Sequence, residues 1–259
     1  MARNIFGISF ILPVKKLSIK ETALKLISLL ELLRRDDDIF SKFKLSKLNF
    51  KSVDFDLNNG TIESNVQKLA ETLIVFEYPD FTQSEKDTIP TIDFTRELGF
   101  MFLLEFKKNN KQQFVITGSM GGTFNPLWNS LSIQNFPIEN SDYDFNWYFN
   151  ILRKANQVLQ SSYSGVNIIL SQYMEMYLPI KIIYPLGWVT YFSNDSNIKM
   201  PTDKGFEVIQ EEKGQYVIAT REDFTTSKES FFAMKEKLIE GMKVLKNICP
   251  EYSEPQTLS

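Results

Sequence analysis

The chain has 259 residues, of which 43% are apolar and 24% are charged, and its formal net charge is −3. This balance is that of a soluble globular protein, and it excludes intrinsic disorder, a collagen-like fibre and a membrane bundle. One cysteine and no histidine are present, which excludes a disulfide framework, a cysteine-based metal site and catalysis by a Ser-His or Cys-His pair.

The first 60 residues predict a strand, a helix and a loop. The apolar run Ile5–Leu12 is short and lacks a small-residue cleavage site, so it predicts a β-strand and not a signal peptide. Ser18 and Glu21 have the spacing of a capping box, and the apolar residues after them recur on one helical face as far as Leu33. Residues 44–60 show no clear period and are predicted to form a loop.

The middle of the chain predicts a second helix and the first strands of a meander. Apolar residues on one face indicate a helix over Ile62–Phe76, and the stretch Glu77–Glu97 is predicted to begin as a long acidic loop. Leu98–Phe106 alternates, and Met101 on its second face is also apolar, which predicts a central strand covered on both faces. Gln113–Thr117 is predicted to be the returning strand of a hairpin.

The remaining elements predict the fold class. They are a strand at 131–136, a helix from about 141 to 159, strands at 166–170 and 180–192, a hairpin at 206–211 and 216–220, and a last helix with a capping box at Thr226 and Glu229. Neighbouring strands joined by short turns pair antiparallel, so we predict an α+β fold with a mostly antiparallel sheet flanked by about four helices. No linker is apparent, and we predict one domain over residues 1–250 followed by a flexible tail at 251–259.

Two carboxylates, Asp142 and Asp144, lie one residue apart at the predicted start of the third helix. Paired carboxylates bind a metal ion or share a proton, and could form the centre of a small carboxylate- or metal-dependent enzyme. Carboxylates at a helix N-terminus are also stabilised by the helix dipole, and acids beside an aromatic ring are typical of protein-binding surfaces. The sequence leaves these three roles open, and the position at a helix start favours capping.

The last third of the chain contains the most specific motif. Tyr184 to Ser193 reads Tyr-Pro-Leu-Gly-Trp-Val-Thr-Tyr-Phe-Ser, and a hairpin strand ending in Ile218-Ala219-Thr220 and a closing helix follow. This arrangement resembles the C-terminal half of the immunity protein 52 family, which has a Gly-Trp-hydrophobic-Thr-Tyr strand, a similar hairpin and a final helix. The residues that match are Gly187, Trp188, Thr190, Tyr191, Ile218, Ala219 and Thr220. The leucine-rich stretch Leu24–Phe43 is similar to the family's N-terminal helix, and the layout agrees over nearly the whole chain.

The resemblance implies an interaction protein and not an enzyme. Members of the family are similar to cytoplasmic antidotes encoded beside secreted antibacterial toxins, often restriction-endonuclease-like nucleases delivered by contact-dependent or type VI systems. The expected partner is therefore a toxin domain, and no metal or other cofactor is expected. The negative net charge makes nucleic acid or an anionic membrane an unexpected partner. We interpret the Gly-Trp-Thr-Tyr strand as a structural signature and not as the toxin-binding site.

Charge and aromatic residues indicate where a toxin would bind. Positions 61–150 carry 12 acidic and 6 basic residues, and an acidic surface can compete for the basic cleft of a nuclease. The predicted partner-binding residues are Glu77, Asp80, Glu85, Asp87, Trp128, Asp142, Asp144 and Trp147. For the two tryptophans, which lie beside a loop and beside the paired acids, a half-buried core position is the alternative.

Overall fold

The computed structural model describes residues 6–46, 52–77, 93–108, 111–123, 129–135, 143–168, 185–202, 205–224 and 226–249. The chain divides into two compact units, each assembled from separated segments. The first unit takes its residues from 1–10, 137–152 and 161–259, and the second from 11–136 and 153–160. Neither unit is one continuous stretch of the chain. The predicted tail lies outside the described residues.

The described residues form ten strands and four helices. In chain order these are β1 (Phe6–Ile11), α1 (Ile19–Leu33), β2 (Lys42–Ser46), β3 (Ser52–Asp56), α2 (Ile62–Glu77), β4 (Phe100–Lys108), β5 (Lys111–Met120), β6 (Ser130–Asn135), α3 (Phe145–Leu159), β7 (Tyr163–Ile168), β8 (Val189–Ser193), β9 (Glu207–Glu211), β10 (Gly214–Ile218) and α4 (Lys228–Ile248). Helices and mostly antiparallel strands confirm the predicted α+β class. None of the helices in this part of the chain has the length and apolarity needed to cross a membrane.

The sheet of the second unit runs in the order β3-β2-β4-β5-β6, with every neighbouring pair antiparallel. Alternate residues on one face are buried because each strand places successive side chains on opposite sides. Phe43 and Phe55 stack there with ring centroids 4.8 Å apart, and Leu104 and Ile116 are fully buried in register with each other. This face supplies the apolar core of the unit.

The first helix begins as the sequence predicts. The Glu21 N–H donates to Ser18 Oγ at 3.1 Å, and the Ser18 N–H donates to Glu21 Oε2 at 2.7 Å, which completes the capping box. Leu26 and Leu30 on the predicted stripe are fully buried, whereas Leu24 is 47% exposed and does not extend it. The predicted helix and its start are therefore confirmed.

Two sequence-based predictions in the second unit are wrong. Residues 44–60 were predicted as a loop, but β2 and β3 form an antiparallel pair in which Phe43 faces Phe55. Each of these strands has five residues, a length at which alternation with lysine and aspartate gives a weak signal. The strand β4 is central, as predicted, but Met101 is 67% exposed, so its second face is not fully covered.

The sheet of the first unit runs in the order β1-β7-β8-β10-β9. The strand β8 pairs antiparallel with β7 and β10. A tight hairpin, in which Glu211 pairs with Gly214, joins β9 to β10. The helix α4 is capped by Ser227, whose Oγ accepts the Ser230 N–H at 3.0 Å. The cap is therefore one residue later than the predicted Thr226.

Candidate partner-binding surface

The start of α3 is set by Asp144. Its Oδ1 accepts the backbone N–H of Trp147 at 2.9 Å, and its carbonyl oxygen accepts the Tyr148 N–H at 3.2 Å. The side chain therefore satisfies one of the N–H groups that a helix start leaves without an intrahelical partner. This confirms the capping interpretation for Asp144.

Two aromatic rings lie beside this cap. The Tyr143 and Trp147 ring centroids are 4.3 Å apart, and both side chains are partly exposed while Asp144 is exposed. Trp147 also makes an edge-on contact with the buried ring of Tyr148 at 5.0 Å. We call Tyr143, Asp144 and Trp147 the α3 surface. It combines two partly exposed aromatic rings, one of which packs against the buried Tyr148, with an exposed carboxylate.

An ion pair that the sequence did not predict lies next to the α3 surface. Arg221 Nε and Nη2 donate to Glu207 Oε2 and Oε1 at 2.7 and 2.5 Å, and the guanidinium lies 5.5 Å from the ring centroid of Phe145. Phe145 directly follows Asp144 in the chain. The hairpin register pairs Ile218 with Glu207, which brings Arg221 three residues later within reach of that carboxylate. The sequence contains no periodic signal for such a pair.

The bidentate pair makes the stability of the folded protein depend on the ionisation of Glu207. The hydrogen bonds from Arg221, with its positive charge, lower the pKa of the Glu207 carboxyl. The folded pKa lies below the unfolded one, so the pair's contribution to stability is present above the unfolded pKa and is lost as the pH falls through the folded pKa. We expect an NMR titration of the Glu207 carboxyl carbon to have a higher midpoint in Arg221→Gln than in the wild type. Equal midpoints would contradict the pairing.

The strand that carries the family resemblance is structural. A Cβ on Gly187 would lie 2.2 Å from the Val166 carbonyl oxygen, so only glycine fits where the two backbones meet. Thr190 is fully buried, and its Oγ1 accepts the Gly187 N–H at 2.9 Å. The Tyr191 hydroxyl donates to the Lys213 carbonyl at 2.9 Å. These contacts build the fold and leave little of the motif exposed to a partner.

Trp188 lies in an aromatic cluster of the first unit. Its ring centroid is 5.2 Å from Phe6, 5.3 Å from Phe224 and 5.5 Å from Phe145, and its side chain is 4% exposed. The indole Nε1 is buried and has no hydrogen-bond partner among the described residues. The tryptophan therefore acts as the apolar centre of this core.

The structure describes only part of the predicted partner-binding set, and whether these residues bind a toxin stays a prediction. Asp144 and Trp147 come together at the start of α3, and Glu77 is the last residue of α2. The other predicted residues lie outside the described part of the chain: Asp80, Glu85, Asp87, Trp128 and Asp142. Within the described residues, no group of three or more Cys, Asp or Glu side chains is placed to hold a metal ion.

The comparisons with known proteins found matches among solved structures. No family model matches the sequence, and no curated protein matches it. A solved T6SS protein from Pseudomonas aeruginosa is similar over 92% of this chain and 72% of its own, with 8% sequence identity and a TM-score of 0.49. Membership of the immunity protein 52 family therefore stays a prediction from the residues of the Gly-Trp-Thr-Tyr strand.

Proposed function

We propose that this chain is an immunity protein that binds a secreted antibacterial toxin in the cytoplasm and neutralises it by direct contact. The toxin class that we propose is a restriction-endonuclease-like nuclease, delivered by a contact-dependent or type VI system. The motif around Gly187 supports this proposal through its resemblance to the immunity family. The chain's own part is binding, without bond-making chemistry.

The observation that carries the proposal is the α3 surface. Tyr143 and Trp147 offer an aromatic pair that is partly desolvated already, and aromatic residues are the commonest anchors of protein interfaces. Asp144 adds an exposed negative charge next to them. A nuclease needs a basic cleft to attract phosphate groups, so a carboxylate beside an aromatic anchor complements it in charge.

The decisive test separates the charge of Asp144 from its role as a helix cap. Asparagine caps helices as well as aspartate does, so Asp144→Asn removes the charge and keeps the cap. We expect Asp144→Asn combined with Trp147→Ala to weaken binding of the toxin encoded by the neighbouring gene by about 30-fold or more, the range of interface hot spots. Binding would be measured by calorimetry, and protection by survival of cells that co-express the toxin.

The control is Glu236→Gln, which removes an exposed acid on α4 that is not part of the α3 surface. Melting temperatures of all variants must stay near that of the wild type. Two further variants reverse the charges of the two groups of predicted binding acids, which are Glu77, Asp80, Glu85 and Asp87 in one variant and Asp142 and Asp144 in the other. Full binding by the double variant and by both charge-reversal variants would refute the electrostatic part of the proposal. Divalent metal ions can be added to the wild type and to Asp144→Ala, and the melting temperatures compared. A shift of the wild-type melting temperature that Asp144→Ala abolishes would favour metal chemistry at this site over toxin binding.

A further inference from the structure

The loop between β3 and α2 contains the sequence Asn58-Asn59-Gly60-Thr61, and Asn59-Gly60 is the one Asn-Gly dipeptide of the chain. Asparagine is a thermally labile residue, because its side-chain amide can be lost to an attack by the backbone nitrogen that follows it. Glycine makes this attack easiest, since it has no side chain to hinder the approach of its nitrogen. The dipeptide therefore marks a chemically reactive point of the second unit.

The backbone nitrogen that would attack is free to do so in the folded protein. Asn59 and Gly60 are both exposed, and the Gly60 N–H has no hydrogen-bond partner among the described residues. By contrast, the Asn59 N–H donates to the Asp56 carbonyl at 3.1 Å, and the Asn58 N–H donates to Asp56 Oδ1 at 3.0 Å. No bond within the described residues has to break before the Gly60 nitrogen can react.

The fold itself requires the glycine. Gly60 has a φ of +129°, a conformation that residues with a side chain rarely adopt. A Cβ at this position would also lie 2.5 Å from Ser64 Oγ. Ser64 belongs to the first turn of α2, where its N–H donates to Thr61 Oγ1 at 3.2 Å and its Oγ donates to the Thr61 carbonyl at 2.9 Å. The turn that starts α2 therefore keeps a glycine directly after Asn59.

The side chain of Asn59 is held by a hydrogen bond at the surface. Its Nδ2 donates to Asp56 Oδ2 at 3.2 Å, and the same oxygen lies 3.1 Å from Lys42 Nζ. The bond from Asn59 is exposed and joins two side chains, so it can open without any change in the backbone. Conversion of the amide to a carboxylate would remove the donor and place two like charges side by side.

The loss of the amide proceeds in two steps that need only water. In the first, the Gly60 nitrogen bonds to Asn59 Cγ and gives its proton to solvent, while the Cγ–Nδ2 bond breaks and Nδ2 takes up a proton and leaves as ammonia. In the second, water adds to the resulting cyclic imide and opens it at Cγ or at the backbone carbonyl carbon of Asn59. The products are aspartate and isoaspartate at this position, and no group is oxidised or reduced.

We propose that Asn59 is a site of hydrolytic deamidation, which converts a neutral side chain of the neighbouring groove into a carboxylate. This groove has a volume of about 510 Å³, and its lining includes Asn59 together with four lysines and three acids. One added carboxylate balances these charges, so the modification changes the electrostatic field of this part of the surface. The site lies in the second unit, and it does not depend on the proposed role of the α3 surface.

The test is incubation of the folded full chain in mildly alkaline heavy-oxygen water, followed by digestion and peptide mapping by mass spectrometry. We expect the peptide that contains Asn59 to gain one heavy oxygen as it loses its amide, and the intact protein to gain one negative charge on ion-exchange chromatography. Synthetic peptides with aspartate and with isoaspartate at this position identify the two products. Asn59→Gln keeps a side-chain amide but would have to close a larger ring, so this variant should lose the new charged form.

The matched internal control is Asn194. It is exposed like Asn59, and its Nδ2 donates to the Glu212 carbonyl at 2.8 Å, but the residue after it is Asp195, which carries a side chain. We expect Asn194 to stay intact while Asn59 reacts. An unchanged Asn59, equal rates at the two positions, or the same charged form in Asn59→Gln would overturn the proposal. None of these measurements involves a toxin, so failure here is distinguishable from failure of the proposed function.

Discussion

Replacement of Trp188 by alanine is expected to destabilise the protein by about 3–5 kcal/mol, the range for removing a large aromatic side chain from a core. The indole is 4% exposed, and its ring contacts Phe6, Phe145 and Phe224 at centroid distances of 5.2 to 5.5 Å. These neighbours come from separate elements, so they cannot collapse together into the space. Urea denaturation followed by far-UV circular dichroism would measure the loss.

Trp188→Phe is the informative companion variant. It keeps an aromatic ring in the cluster and removes the buried Nε1 group that has no partner among the described residues. Because an unsatisfied buried donor costs about 1–3 kcal/mol, its removal offsets part of the lost packing. We therefore expect Trp188→Phe to lower the free energy of unfolding by less than half as much as Trp188→Ala does. A Trp188→Ala protein within about 1 kcal/mol of the wild type would show that the cluster is not a core.

Replacement of Gly187 by alanine is expected to cost about 2–4 kcal/mol, because the new methyl group meets backbone that cannot give way. Its Cβ would lie 2.2 Å from the Val166 carbonyl oxygen and 2.4 Å from Asn167 Oδ1. The same carbonyl accepts the Trp188 N–H at 2.8 Å. Moving β7 away from this strand would therefore also break the bond that anchors the tryptophan.

Gly165→Ala is the matched control, since Gly165 lies on β7 beside the same strand. A Cβ there would be 3.0 Å from the Tyr163 hydroxyl and 3.4 Å from the Val189 carbonyl oxygen. This nearest atom is 0.8 Å farther away than the one that a Cβ would meet at Gly187, and it belongs to a side chain and not to the backbone. We expect a cost of less than about 1.5 kcal/mol, measured by the same denaturation experiment. Equal losses in the two variants would mean that the close approach at Gly187 is not what requires glycine.

The helices and longer strands could be predicted from the sequence because their signals are local. The capping box at Ser18 and Glu21 and the stripe through Leu26 and Leu30 depend only on residues within a few turns of one another. The pair β2 and β3 was missed because each strand is short and its alternation includes lysines and aspartates. Its stability comes from contacts across the sheet, such as Phe43 on Phe55, which no local window contains.

Only those contacts of the candidate site that join residues close together in the sequence could be predicted. Asp144 and Trp147 are three residues apart at a helix start, so their proximity follows from helical geometry. The Arg221–Glu207 pair depends on the register of a hairpin, and the aromatic cluster draws on four separate parts of the chain. A sequence without an alignment carries no signal for either arrangement.

The strand β1 has a consequence for how the protein is made. Phe6 contacts Tyr148, Trp188 and Phe224, all of which leave the ribosome long after it does. At typical translation rates of about 5–20 residues per second, the last of these follows Phe6 by roughly 10–40 s. Until Phe224 has been synthesised, Phe6 lacks at least one of these aromatic neighbours. A ribosome that stalls before residue 148 leaves Phe6 without any of the three.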